Sequence, residues 1–282
     1  MRQRGLRTLA VLATIIMMVL GCMMRYYQLH TIFDETGLPI SGSPVTWMLN
    51  FLSGLMVVEG ILVGWSLPRC RLEKRIYGRK QILSFLAGMA AGLCLAIGGI
   101  VEIAAILNGG AAGYELALYI LQMLAGCCML ISTWRNWSGS ASYPVLHAVI
   151  CLWMVMVLLL NFKNWSMDPT ILDYCFRLFA LICGMCATYH IGTFGFDQGG
   201  RRVTTFWCMA GCYFMPVSAV GESLGWELMA IGMTLWLFCN VWQILDEPLR
   251  ARKSLPAMPE SEASEESETS ENPIENPEES DS

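Results

Sequence analysis

Charge is scarce in this chain, in which 15% of 282 residues are Asp, Glu, Lys or Arg and 55% are apolar. A water-soluble domain carries about a quarter charged residues, so water is not the solvent this sequence is written for. Histidine is nearly missing, with three in all. No H-E-x-x-H, glycine-rich phosphate loop or Asp-rich span occurs, which leaves no reactive set; the chain is expected not to be an enzyme and to need no cofactor. Basic residues are absent from 254 to 282, where ten acidic residues and four prolines stand without a single aromatic. Such a segment buries too little apolar surface to offset its chain entropy. The expected organisation is therefore a helical bundle over 1–247 and a disordered acidic cytoplasmic tail over 248–282.

What is present in quantity is long apolar runs. A bilayer core about 30 Å thick takes roughly twenty apolar residues at a helical rise of about 1.5 Å. Eight runs qualify, near 7–26, 46–66, 82–107, 114–134, 143–162, 170–194, 203–221 and 226–245. Only a helix satisfies its own backbone in lipid as a single segment, and the runs lack the alternation of barrel strands. The expected fold class is all-α, a polytopic bundle of about eight membrane helices.

Fifteen of the eighteen basic residues fall on one side of that arrangement, before the first run, in the loop 69–80, and after runs four, six and eight. The positive-inside bias then puts both termini in the cytoplasm of a plasma-membrane protein. Trp47, Trp65, Trp134, Trp137, Trp165, Trp207 and Trp226 stand near run ends, as an interfacial belt does. Val19, Leu20, Gly21 and Cys22 loosely match a lipoprotein cleavage box. Bulky Leu20, and Met23 and Met24 after the cysteine, favour an uncleaved anchor.

Nearly all twelve cysteines lie inside runs, which implies packing rather than a disulfide framework. One set has ligand-like spacing: Cys183, Cys186 and His190 along one helical face, with Cys208 and Cys212 along one face of the next helix. C-x-x-C metal sites sit on turns whereas this pair is mid-helix, so no metal is expected.

Ionisable groups inside a membrane are costly, and each is a functional candidate until a structural role explains it. Arg25, Glu102, Glu115, Asp173 and Arg177 share a layer near the outer surface. They would form either a ligand-binding set or a network that pins helix ends, with Asp173 and Arg177 four residues apart on one helix. Glu222 and Glu227 flank the turn at the same surface. Glu59 lies about 20 Å from the outer face, where Asn240 is the expected partner at matching depth. His147 and His190 are expected at the interface.

The stretch 25–39, RYYQLHTIFDETGLP, reads as the first outer loop. Arg25 and Gln28 leave the first run on one face, Asp34 and Gly37 suit a turn, and Pro39 stops a helix; the loop could lid an outer pocket. This R-x-x-Q-L followed by F-D-x-T-G-L-P resembles a group of uncharacterised multi-pass membrane proteins of Gram-positive anaerobic bacteria with no established activity. The resemblance implies a bacterial plasma-membrane location and transfers no functional residue. Two functions fit the residues. One is a small-solute transporter or permease component with a site in the outer polar layer. The other is an accessory protein that meets a cytoplasmic partner through its basic loop and acidic tail. The expected partners are the lipid bilayer, a small solute and such a cytoplasmic protein, with no nucleic acid.

Overall fold

The structure, a computed structural model, describes residues 2–31, 43–67, 82–109, 113–140, 142–165, 171–196 and 198–246. The outer loop around Asp34 and Gly37, the basic loop 69–80 and the acidic tail lie outside the described residues. Eight long helices are found within them: α1 (Arg2–Thr31), α2 (Pro44–Ser66), α3 (Ile82–Gly109), α4 (Gly113–Trp137), α5 (Pro144–Trp165), α6 (Ile171–Thr193), α7 (Arg201–Ala219) and α8 (Leu224–Asp246). A single 3₁₀ turn, Phe194–Phe196, follows α6. No strand forms among the described residues.

Local sequence explains several boundaries. Pro44 opens α2 and Pro144 opens α5, where a missing N–H costs nothing and the fixed φ suits a first helical turn. Gly139 and Gly221 close the α4–α5 and α7–α8 turns at φ of 81° and 82°, a region that a side chain resists.

Seven of the helices are long and apolar enough to cross a membrane, which makes the chain a multi-pass membrane protein. The helix outside that set is α7, at 19 residues. It coincides with the seventh of the eight runs, and its composition differs for a physical reason. It packs against α1, α2, α6 and α8, so protein rather than lipid surrounds it. Every residue from Cys208 to Met215 is buried. A helix sheathed in protein can carry polar groups if each finds a partner. Thr204 and Thr205 donate to the carbonyls of Gly200 and Arg201, Ser218 donates to Met215, and Arg201 reaches the Ile244 carbonyl at 2.6 Å.

Neighbouring helices pack in a closed circuit, α3 on α4, α4 on α5, α5 on α6, α6 on α7, α7 on α8 and α8 back on α3. The α1–α2 pair stands outside this ring and docks on α7. Burial follows the arrangement: 56% of the most apolar window of α8 is buried inside the protein, but only 22% of that of α2. Exposed Trp47, Trp65 and Trp134 mark helix ends, consistent with an interfacial belt. We call the end holding the α1 N-terminus the near end, and the end holding Gly221 the far end.

Candidate functional site

The far end gathers side chains from four helices and one turn. Arg177 on α6 donates from Nη1 to Glu222 Oε2 in the α7–α8 turn at 3.3 Å, and the two side chains are 21% and 35% exposed. The Arg177 guanidinium also lies 3.7 Å from the ring centroid of Trp226 on α8. A cation over an indole in this partly desolvated position contributes about 1–2 kcal/mol. Beside it, Ser223 donates to Glu102 Oε1 at 2.5 Å. The same hydroxyl accepts from the Trp226 backbone N–H at 3.3 Å and thereby caps α8. Glu102 of α3 is thus held against the first turn of α8, where the helix dipole favours a carboxylate. Tyr119 on α4 completes the group, within electrostatic reach of Glu102, Glu115 and Arg177.

Four of the five outer-layer candidates are described at the level of their side chains. Glu102, Glu115 and Arg177 all lie within electrostatic reach of Tyr119. Arg25 is buried and separate: its Nη1 donates to Gln28 Oε1 at 2.8 Å, and its guanidinium lies 5.4 Å from the Phe176 ring. Gln28 continues the link to Thr46 on α2 at 3.1 Å. Asp173 stands in the first turn of α6, and its side chain lies outside the described residues. The ion pair of Arg177 among the described residues is with Glu222, 45 residues away. Tyr119, Ser223 and Trp226 were not anticipated as members of the layer. The available signal was the short turn Gly221–Glu222–Ser223, which ties three polar positions to the helix end next to Trp226.

The mid-membrane pair has a different make-up from the one expected. Glu59 Oε1 lies 3.4 Å from Thr14 Oγ1 on α1. Asn240 turns to its own helix and donates to the Trp236 carbonyl at 2.8 Å. Depth does not bring the two together because α2 packs on α1 and α7, whereas α8 packs on α7 and α3. Asn240 instead borders a narrow polar crevice at the near end, shared with Ser84 of α3, Thr133 and Asn136 of α4, and Gln243.

Cys183, Cys186, His190, Cys208 and Cys212 do not converge, and no group of three His, Cys, Asp or Glu among the described residues is placed to hold a metal ion. Cys212 Sγ instead points to the Thr234 carbonyl on α8 at 3.8 Å, while His190 rests edge-on to Tyr189. His147, expected at the interface, is buried at 3% exposure against Gly192 and the Trp236 ring. A histidine placed one turn inside α5 is covered because α6 packs on its face there and the Trp236 ring of α8 reaches it.

What the far-end group can do is bind charge. Two carboxylates, Glu102 and Glu222, and the Arg177 guanidinium lie around the Ser223 hydroxyl and the Trp226 ring, with Glu115 and Tyr119 within electrostatic reach. Against known proteins, no family model matches the chain, and neither a curated protein nor a solved structure matches it.

Proposed function

We propose that the chain is a small-solute permease component of the plasma membrane, with its solute site in the far-end polar layer. On this reading α7 counts as an eighth crossing, the far end faces outward and both termini are cytoplasmic, in accord with the basic residues gathered at the near end. The observation that carries the reading is the far-end cluster in which Arg177 pairs with Glu222 and lies over Trp226, while Ser223 holds Glu102 beside it. Ionisable groups at this depth are expensive to keep, and a site that selects solute by charge is one return on that cost. An excess of carboxylates over guanidinium suits a cationic or zwitterionic solute.

Thiol accessibility tests it. In a variant without native cysteines, single cysteines are returned at Gly37, Glu102, Arg177 and Glu59, and intact cells are treated with an impermeant thiol reagent. Labelling at 37, 102 and 177 but not 59 supports an outward, water-filled layer. Proteoliposome uptake of amino acids and polyamines, with Arg177→Ala as the control, then identifies the solute. Labelling at 37 alone makes the layer a dry network, and attention moves to partners of the basic loop and acidic tail.

A further inference from the structure

Glu59 is the sole acidic residue of the three helices that meet around it, since α1, α2 and α7 contain no other Asp or Glu. It stands seven residues from the end of α2 at Ser66, or about 10 Å inside the near end. It is half-buried, on the border between the face of α2 that packs on protein and the face left to lipid. Charge is distant along each of those helices. No charged residue occurs in α1 from Thr8 to Met24. At the level of Glu59, α7 presents the Phe206 ring, packed over Gly60. Nearer the ends, Arg202 is taken up by the carbonyls of Leu67 and Trp65, and Tyr213 shares a hydrogen bond with Ser53. Cys208 and Cys212 are buried in α7, and Cys22 lies two turns beyond Thr14 on α1.

The hydrogen bonds open to the carboxyl then favour its neutral state. Thr14 is buried, its hydroxyl carries one proton, and the Ala10 carbonyl stands 2.9 Å away to accept it. The 3.4 Å contact from Thr14 Oγ1 to Glu59 Oε1 is therefore long and shared with that carbonyl, so the carboxyl receives at most a weak donation from Thr14. Oε2 is buried and has no partner among the described residues, a cost that a neutral acid bears far better than a carboxylate. We propose that Glu59 and Thr14 form a proton-binding site at the α1–α2 seam, in which Glu59 is held as a neutral acid beside Thr14 and open to the lipid side. The inference stands whether or not the far-end layer binds a solute.

A lipid-soluble carbodiimide reports this state directly. The acid proton passes to one nitrogen of the reagent and the carboxylate oxygen bonds its central carbon. The acyl group then shifts to nitrogen, and nothing leaves, so the peptide gains the whole reagent mass. Full-length protein in liposomes is treated with dicyclohexylcarbodiimide and, in parallel, with a water-soluble carbodiimide, and adducts are mapped by mass spectrometry. The expected result is an adduct on Glu59 from the lipid-soluble reagent only, while carboxyls of the acidic tail react with the soluble one. Raising pH should lower the Glu59 adduct about tenfold per unit once the acid ionises. Glu59→Gln should remove the adduct and keep the elution profile of the folded protein, because an amide replaces a neutral acid without adding charge. Preferential labelling of Glu59 by the soluble reagent, failure of the lipid-soluble reagent to label it in folded protein, or collapse of the Gln variant would each overturn the proposal.

Discussion

The α3–α4–α8 seam and the docking of the α1–α2 hairpin on α7 both rely on glycine, but they are built differently. In the seam, Gly126 and Gly232 meet backbone, although Gly88 and Gly92 first meet the Thr133 and Leu130 side chains. A Cβ on Gly126 would stand 2.8 Å from the Ala96 nitrogen and 2.9 Å from the Gly92 oxygen, and one on Gly232 would stand 2.7 Å from the Ala91 oxygen. In the hairpin, glycines mostly meet side chains: Gly21 faces Tyr213 and Val217, and Gly60 faces the Phe206 ring at 3.0 Å. Lipid gives no hydrophobic drive between helices, so close backbone approach is how a seam gains dispersion energy. Backbone cannot move aside as a ring can. The seam is therefore the rigid part of the bundle, and it carries Glu102 and Ser223 at its far end; the hairpin is the adjustable part, and it carries Glu59.

One substitution applied at three places separates these regions. Gly126→Leu should have the largest effect, because the added side chain meets main chain on two sides and α3 must part from α4. Overpacking of this kind costs about 3 kcal/mol or more. The expected outcome is loss of the monodisperse peak in detergent size exclusion, and a folded variant with unchanged melting would break the contrast. Gly60→Leu should cost less, about 1–2 kcal/mol, since Phe206 can change rotamer to make room. Its thermal melt should fall while the elution profile persists.

The far-end layer offers a smaller effect and a direct measure of how tightly the ring is tied to the α7–α8 turn. Arg177 and Glu222 are partly exposed, so the pair is screened, and a double-mutant cycle of Arg177→Ala with Glu222→Ala should give a coupling of about 1 kcal/mol or less. Arg177→Ala alone should cost more than Glu222→Ala, because it also removes the cation from the face of Trp226. Equal single costs would mean that the indole contact contributes nothing.

These contrasts also show what could be read in advance. Hydropathy and length locate the eight helices closely, seven of them apolar and long enough to span a membrane, and the helical rise alone is what puts Arg25, Glu102, Glu115, Asp173 and Arg177 in one expected layer. Depth says nothing about which helices are neighbours. Asn240 lies at the depth of Glu59, but α7 stands between their helices, and the actual partner, Thr14, is a residue type that apolar runs tolerate without notice. His147 reads as interfacial for the same reason, since only the packing of α6 and the reach of the Trp236 ring cover it. The low hydropathy of α7 was the one sequence signal of its neighbourhood: a long run with arginines, threonines and a serine needs protein around it.

The smallest effect is expected at Gly54, and it tests whether the adjustable region is adjustable because it is peripheral. No atom lies within 4 Å of a Cβ built there, so Gly54→Leu places its side chain in lipid and meets no neighbour. Glycine inside a helix is less favourable than leucine by up to about 1 kcal/mol, and an apolar side chain in hydrocarbon carries no penalty. The melting temperature should hold or rise slightly. A clear fall would mean that a further helix, from a second copy or another protein, packs on this face of α2. That result would reverse the comparison, because the hairpin would then be an interface, and its looseness against α7 would reflect a second partner sharing the load.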